Sequence, residues 1–134
     1  MKTIIIAEAG VNHNGRLNLA LRLIDCAAKA KADYVKFQTY STENLVQKKL
    51  KLAKYQRPNI KKIKSQYELL KKYELSYNDH KIIMKRCKLK KIKFLSSPFD
   101  LQSIELLKKL KLNIIKIPSG EITNIPYLKK IGCL

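Results

Sequence analysis

The sequence predicts an α/β fold in which parallel strands are joined by crossover helices. Short apolar runs rich in β-branched and aromatic residues recur along the chain, and segments with helical periodicity lie between them. None of the runs alternates cleanly between apolar and polar residues, which is typical of strands buried on both faces. The 134 residues are enough for one small domain.

Four apolar runs are predicted as strands, at residues 3–9, 33–39, 92–97 and 113–117. The predicted order is strand, helix, strand, long connection, helix, strand, helix, strand, helix. The long connection covers residues 40–74, and its part 48–64 carries eight basic residues and no acidic one. Such a block is predicted to be a solvated face, with a cover over an active site as the alternative.

Capping signals mark the predicted helices. The first helix covers residues 17–31. Ser76 followed by Asp79 is a capping-box signature for a helix that runs to about Lys90, and Asp100 is predicted to cap a further helix. The apolar faces of these helices are predicted to carry Ala20, Ile24, Ala27, Ala28, Ile83, Cys87, Leu101, Ile104, Leu107 and Leu110.

The formal net charge is +19, from 29 Lys+Arg against 10 Asp+Glu, which suggests an anionic partner. Only four of the basic residues are arginines, the residue that nucleic-acid-reading surfaces favour for bidentate contacts. The lysine excess fits a lysine-rich proteome or a basic surface around an anion site at least as well. We therefore do not expect a nucleic-acid partner.

Cysteine usage and hydropathy indicate the compartment. Cys26, Cys87 and Cys133 lie far apart without C-x-x-C spacing, so we interpret them as small buried apolar residues in a reducing environment. No signal peptide is visible, because Glu8 interrupts the first apolar run, and no run approaches the ~18 apolar residues of a membrane span. The sequence predicts a soluble, cytoplasmic protein with no membrane contact.

Polar residues stand at the C-terminal ends of all four predicted strands, the edge where α/β folds bind ligands. Lys36 and Lys116 each lie inside an otherwise apolar strand, where a lysine is costly unless an anion meets it. Two such lysines near one edge are expected to share a phosphate or a carboxylate. The hydroxyls of Ser97 and Ser119 would add hydrogen bonds to that anion.

The same residues also allow structural interpretations. Either lysine alone could reach the sheet surface or pair with Glu8 or Glu121. His13, in the turn after the first strand, is a candidate acid, base or substrate-orienting group, or else a loop residue that hydrogen-bonds neighbouring backbone. His80, in the first turn of a helix, is predicted at the surface. No His, Cys or carboxylate pair has metal-ligand spacing, and there is no glycine-rich phosphate loop.

Four sequence blocks, in order, are shared with one known family. They are IAEAGVNHNG at 6–15, VKFQT at 35–39, FLSSPF at 94–99 and KIPSGE at 116–121. Through them the chain resembles the N-acetylneuraminate (sialic acid) synthase family of carbohydrate-biosynthesis enzymes, which includes legionaminic and pseudaminic acid synthases and spore-coat polysaccharide proteins. Phe37 and the IPSGEITN stretch resemble the legionaminic acid branch.

The resemblance implies a (β/α)8 TIM barrel, of which residues 1–134 form the N-terminal half with four parallel strands. It places the second half of the barrel and a small antifreeze-like domain outside these 134 residues. In the family that small domain completes the neighbouring subunit's site in a homodimer. The family also uses a divalent metal, manganese or magnesium, whose ligands are not expected in this chain.

The resemblance further implies a transferase that forms a C–C bond from phosphoenolpyruvate. The enol C3 attacks an N-acyl amino-sugar aldehyde polarised by the metal, water adds at C2, and phosphate leaves with C–O cleavage. Phosphoenolpyruvate carries a phosphate and a carboxylate, and cationic and hydroxyl side chains held in fixed positions are suited to bind both. The implied phosphoenolpyruvate-binding residues are Lys36, Ser97, Lys116 and Ser119, and the implied catalytic residues are Glu8 and Gln38 at the aldehyde, with Glu121 nearby.

Three hypotheses stay open on the sequence. The first is a partial sialic-acid-type synthase that is active only when completed. The second is a truncated, catalytically inactive remnant of such an enzyme. The third is a basic nucleic-acid-binding module, suggested only by the net charge and by the basic block at residues 48–64. No motif distinguishes which amino sugar would be used or whether it is phosphorylated.

Overall fold

A computed structural model of the chain describes residues 3–52, 63 and 65–134. Three strands, β1 (Ile6–Gly10), β2 (Tyr34–Thr39) and β3 (Lys93–Pro98), form a parallel sheet in that order. The helices are α1 (Leu17–Lys29), α2 (Thr42–Leu45), α3 (Gln66–Tyr73), α4 (Tyr77–Leu89), α5 (Leu101–Lys109) and α6 (Ile125–Gly132). The predicted α/β class with a parallel sheet and crossover helices is confirmed.

One face of the sheet packs against helices α1 and α4. Val35 and Phe37 point to this face from the central strand and are fully buried. Ile24 of α1 and Ile83 of α4 meet them and are also fully buried. Because side chains alternate along a strand, Lys36 and Gln38 point to the opposite face.

The fourth predicted strand is not confirmed, since residues 113–117 form no strand. The Lys116 backbone N–H donates to the Ser96 carbonyl at 3.2 Å, so the segment touches β3 without building a ladder. An apolar run becomes a strand only when a regular series of backbone bonds satisfies it. Pro118, which has no N–H, ends the run directly after Ile117.

The predicted helix starts are confirmed. The Ser76 hydroxyl accepts from the Asp79 N–H at 3.1 Å, and the Asp79 carboxylate accepts from the Ser76 N–H at 2.9 Å. Asp100 accepts from the Ser103 N–H at 2.9 Å. The face predicted for α5 is partly wrong, because Leu101 is half exposed.

Helices α1, α4 and α5 end in the same turn, with a lysine in the left-handed conformation. Lys31, Lys91 and Lys111 have φ of 60°, 56° and 56°. The N–H of each of these lysines donates to the carbonyl of the residue three positions earlier. The N–H of the residue that follows the lysine donates to the carbonyl five positions before itself. This is the Schellman pattern, which usually places glycine at the left-handed residue.

Two sequence expectations fail or fall outside the described residues. Cys87 is buried, and burial raises the pKa of its thiol to about 12. Cys26 and Cys133 are exposed, so their interpretation as buried apolar residues is wrong. Most of the basic block, residues 53–62 and 64, lies outside the described residues.

Candidate functional site

Lys36 lies at the centre of the site, on the sheet face opposite α1 and α4. It is only 6% exposed. Its ammonium forms an ion pair with the Glu8 carboxylate at 2.8 Å and a long hydrogen bond of 3.4 Å to the Ser97 hydroxyl. The Glu8 side chain is 63% exposed. A nearly buried cation is thus held by a partner that reaches into solvent, and the expected pairing of Lys36 with Glu8 is observed.

A bulge in β1 sets the position of Glu8. The register with β2 shifts between Glu8 and Gly10, and Gly10 has φ of +53°. A residue with a side chain is strained in this conformation, although a Cβ at Gly10 would meet no atom within 4 Å. Bulges re-aim neighbouring side chains. Here the bulge interrupts the pairing directly after the residue that contacts Lys36, and the pairing resumes where Gly10 meets Phe37.

Gln38 of β2 and Ser97 of β3 complete this face of the sheet. They are register partners in the β2–β3 pair, so their side chains share the face that carries Lys36. Ser97 is buried and Gln38 is half-buried. The structure therefore brings together four of the residues that the sequence singled out: Glu8, Lys36, Gln38 and Ser97.

The other three lie on the segment after α5. Lys116 is exposed, and its ammonium makes no hydrogen bond or ion pair with any described residue. Ser119 is exposed at the start of a 3-10 turn, Ser119–Glu121. Glu121 is half-buried and accepts a 2.6 Å hydrogen bond from the Asn124 side-chain amide. The convergence of Lys116 and Lys36 on one anion stays a prediction.

A cavity of about 550 Å³ opens beside Glu121. Asn44, Phe99, Asn124 and Tyr127 also line it. Tyr127 is buried, and its hydroxyl donates to the Pro98 carbonyl at 2.8 Å. The cavity combines amide and carboxylate groups with aromatic walls, a surface suited to a polar ligand that carries apolar substituents.

His13 is a buried loop residue. Its Nδ1 accepts from the Gly15 N–H at 3.1 Å, which agrees with the backbone-bonding alternative. Its ring lies 6.2 Å from the ring of Phe37, and burial lowers the pKa of the imidazole. Nε2 has no hydrogen-bond partner among the described residues.

The prediction that His80 lies at the surface is wrong. His80 is fully buried, because the first turn of α4 packs against the C-terminal ends of β2 and β3. Its Nε2 lies 2.8 Å from the Thr39 hydroxyl, which lies 2.7 Å from the Ser96 hydroxyl. Sequence reasoning missed all three residues. The sequence did contain a signal for them. Two pairs of consecutive polar residues end the buried strands, Gln38–Thr39 and Ser96–Ser97, and consecutive side chains lie on opposite faces of a sheet, so one polar residue of each pair must face the helices.

No three His, Cys, Asp or Glu side chains come close enough to hold a metal ion among the residues that the structure describes. Over the same residues, no helix is long and apolar enough to cross a membrane.

Comparison with known proteins gives consistent matches. Residues 23–134 match the model of the NeuB family. The chain is 53% identical over 133 residues to an N,N'-diacetyllegionaminic acid synthase of Campylobacter jejuni, covering 99% of this chain and 40% of that protein. A Legionella pneumophila protein of the same name is 49% identical over 129 residues, covering 96% and 36%. The chain thus spans about two fifths of the length of these relatives.

A solved structure agrees with these sequence matches. The crystal structure of N-acetylneuraminic acid (sialic acid) synthetase from Leptospira borgpetersenii, in complex with citrate, superposes with a TM-score of 0.77 at 35% identity. The match covers 98% of this chain and 42% of that one.

Proposed function

The chain belongs to the NeuB family, and from this membership we propose that it supplies the phosphoenolpyruvate-binding edge of a sialic-acid-type synthase. The complete enzyme would condense phosphoenolpyruvate with an N-acyl amino-sugar aldehyde. Within it, residues 1–134 would form the N-terminal half of a (β/α)8 barrel. Support for the barrel comes from the parallel βα order and from the likeness to the Leptospira structure.

The observation that carries the proposal is the nearly buried ammonium of Lys36 at the ligand-binding edge of the sheet. A buried cation needs an anion, and Glu8, its partner in this structure, is mostly exposed. A phosphate or carboxylate on this face would receive the charge of Lys36 and the hydroxyl of Ser97. We assign Lys116 and Ser119, from the neighbouring segment, to the same anion.

Glu8, Gln38 and Glu121 are proposed to face the sugar aldehyde. In the reaction a C–C bond forms between C3 of phosphoenolpyruvate and the aldehyde carbon. Water then adds at C2, and the C–O bond to phosphate breaks. Carboxylate and amide groups can hold the hydroxyls and acylamino groups of the sugar and move protons at its oxygens. The cavity beside Glu121 offers room for its substituents.

The sugar is proposed to lead to a legionaminic acid, with two acetylated amino groups. This choice rests on identity: 53% and 49% to two N,N'-diacetyllegionaminic acid synthases, against 33% to a pseudaminic acid synthase and to human N-acetylneuraminate-9-phosphate synthase.

A divalent manganese or magnesium ion belongs to the proposal for the complete enzyme. The described residues do not fit a metal site, because no three potential ligand side chains lie together. The ligands of the ion are therefore proposed to lie outside the described residues.

A chimera tests the proposed function. Residues 1–134 replace the matching segment of the Campylobacter jejuni relative, and release of phosphate from phosphoenolpyruvate is measured with the diacetamido sugar aldehyde. We expect turnover that depends on both substrates. A folded chimera without turnover would contradict the synthase proposal and favour the inactive remnant.

Two lysine variants of the chimera separate site from surface. Lys116→Met is expected to reduce use of phosphoenolpyruvate about tenfold or more, since a charge-assisted hydrogen bond is lost. Lys62→Met is the control; Lys62 lies outside the described residues, in the basic block predicted to be a solvated face. Equal losses in both variants would show that Lys116 does not contact the substrate.

A further inference from the structure

We infer that His80 is a positioning residue for the anion-binding edge, acting through the hydroxyls of Thr39 and Ser96. Its link to phosphoenolpyruvate rests on the proposed function, whereas its effect on the strand ends does not. The inference is drawn from a chain of short hydrogen bonds that runs from α4 to β2 and β3.

The chain of contacts is fully buried. His80, Thr39 and Ser96 are each at most 1% exposed. The His80 Nδ1 lies 2.8 Å from the Ser76 carbonyl, and Nε2 lies 2.8 Å from the Thr39 hydroxyl. Thr39 and Ser96 are joined at 2.7 Å, and the Ser96 hydroxyl also lies 3.2 Å from the Phe37 carbonyl. The chain therefore ties the start of α4 to the C-terminal ends of β2 and β3.

The direction of these hydrogen bonds follows from their end point. The Ser76 carbonyl can only accept, so Nδ1 of His80 carries the proton and Nε2 of the neutral ring accepts from Thr39. The Thr39 oxygen is then free to accept from the Ser96 hydroxyl. Both nitrogens of the imidazole are satisfied without water. The Thr39 hydroxyl donates to His80 and accepts from Ser96, and the Ser96 hydroxyl shares its one proton between Thr39 and the Phe37 carbonyl, 3.2 Å away.

This chain lies directly behind the proposed site. Thr39 follows Gln38, and Ser96 precedes Ser97, so each hydroxyl points to the helices while its neighbour faces the ligand side. The backbone carbonyls of the same two residues hold the adjoining segments. The Lys116 N–H donates to Ser96 at 3.2 Å, and the Phe99 N–H donates to Thr39 at 3.0 Å.

A purely apolar contact would not fix these strand ends as closely. Hydrogen bonds are directional, and a buried hydroxyl that loses its partner is unfavourable, so the chain restricts Thr39 and Ser96 to one arrangement. The side chains of Val35 and Phe37, which face the helices deeper in β2, are apolar and contribute packing without a side-chain hydrogen bond. The polar chain is confined to the end of the sheet that carries the site residues.

The test uses the chimera described under the proposed function and three variants of it, with the numbering of residues 1–134 kept. Thr39→Val keeps the shape and removes the central hydroxyl, and Ser96→Ala removes the next one and carries the same test if Thr39→Val does not fold. Ile83→Val is the matched control, because Ile83 is fully buried on α4 and has no polar group. Amide hydrogen exchange is followed at Lys116 and Phe99, and phosphoenolpyruvate is titrated under ³¹P NMR.

We expect exchange at the Lys116 and Phe99 amides to rise about tenfold in Thr39→Val, relative to amides in the middle of the sheet. Ile83→Val should lower overall stability without this selective effect. Equal exchange patterns in the two variants would overturn the inference.

The titration separates this inference from the proposed function. If the unsubstituted chimera binds phosphoenolpyruvate, its Thr39→Val variant should bind it more weakly, and unchanged affinity would count against a positioning role. If the unsubstituted chimera shows no binding while the selective exchange effect is present, the positioning role of the His80–Thr39–Ser96 chain stands and the assignment of the anion is wrong.

Discussion

Replacing Lys36 by methionine should separate binding from stability. The methionine side chain has a similar length and no charge, and Lys36 is 6% exposed. In the folded protein the substitution removes a buried cation together with its ion pair to Glu8 and its long bond to Ser97. Removing the cation stabilises the folded protein, because no charge is left to desolvate at position 36. Losing the ion pair and the hydrogen bond destabilises it, because their electrostatic attraction is lost.

The two effects on stability nearly cancel. Removing one partner of a buried ion pair destabilises a protein chiefly by leaving the other charge buried and unpaired. Because the Glu8 side chain is 63% exposed, this penalty is small, and the relief of Lys36 desolvation offsets it. Leaving the Ser97 hydroxyl without its partner costs about 1 kcal/mol. We therefore expect the free energy of unfolding to change by no more than about 1 kcal/mol. Loss of a charge-assisted hydrogen bond to the ligand, about 1.5–3 kcal/mol, should weaken phosphoenolpyruvate binding about 10- to 150-fold.

Urea unfolding followed by circular dichroism gives the first quantity, and titration with phosphoenolpyruvate gives the second. Lys29→Met serves as the control, because Lys29 is exposed at the end of α1, far from the site edge. It should leave both quantities unchanged. A Lys36→Met protein that is destabilised by more than about 2 kcal/mol yet binds phosphoenolpyruvate normally would show that Lys36 is a structural residue.

Three further predictions concern the fold. Lys111→Gly should stabilise the chain by about 0.5 kcal/mol, because glycine adopts the left-handed conformation of this position without strain. The control Lys108→Gly, inside α5, should destabilise the chain by about 1 kcal/mol, and urea midpoints that shift in the same direction in both variants would refute this. Stability should fall as the pH drops below about 6.5. Burial lowers the pKa values of His13 and His80, against the opposing effect of the Asp79 carboxylate, so the unfolded chain binds more protons than the folded one. A urea midpoint that stays constant between pH 7.5 and about 5 would contradict this. A polypeptide of these 134 residues should self-associate through the β1 edge and the exposed isoleucines before and within that strand; light scattering that reports a stable monomer would exclude this.

Local patterns in the sequence were sufficient for most of the fold. The three observed strands and the caps at Ser76 and Asp100 depend on residues within a few positions of each other, so their signals are readable along the chain. Residues 113–117 have the same apolar character as the other runs. Whether such a run becomes a strand depends on backbone partners that the run itself does not specify.

The site was predictable to the extent that an unusual residue stood in a buried strand. Lys36 was identifiable because a lysine among apolar neighbours is costly, and the alternation of side chains then placed Gln38 beside it. His80 was misjudged because capping positions are usually solvated, whereas this one is covered by the ends of two strands. That covering depends on how α4 packs, which no local pattern reveals.

The repeated turn after α1, α4 and α5 explains much of the charge of this protein. Eight exposed lysines cluster in the last turns of these helices and in the residues that follow: Lys29, Lys31, Lys88, Lys90, Lys91, Lys108, Lys109 and Lys111. They sit where the helix dipoles are negative, at the end of the sheet remote from Lys36. Eight of the 29 Lys+Arg residues thus complement helix ends, and their positive charge lies away from the edge of the sheet proposed to bind the anion.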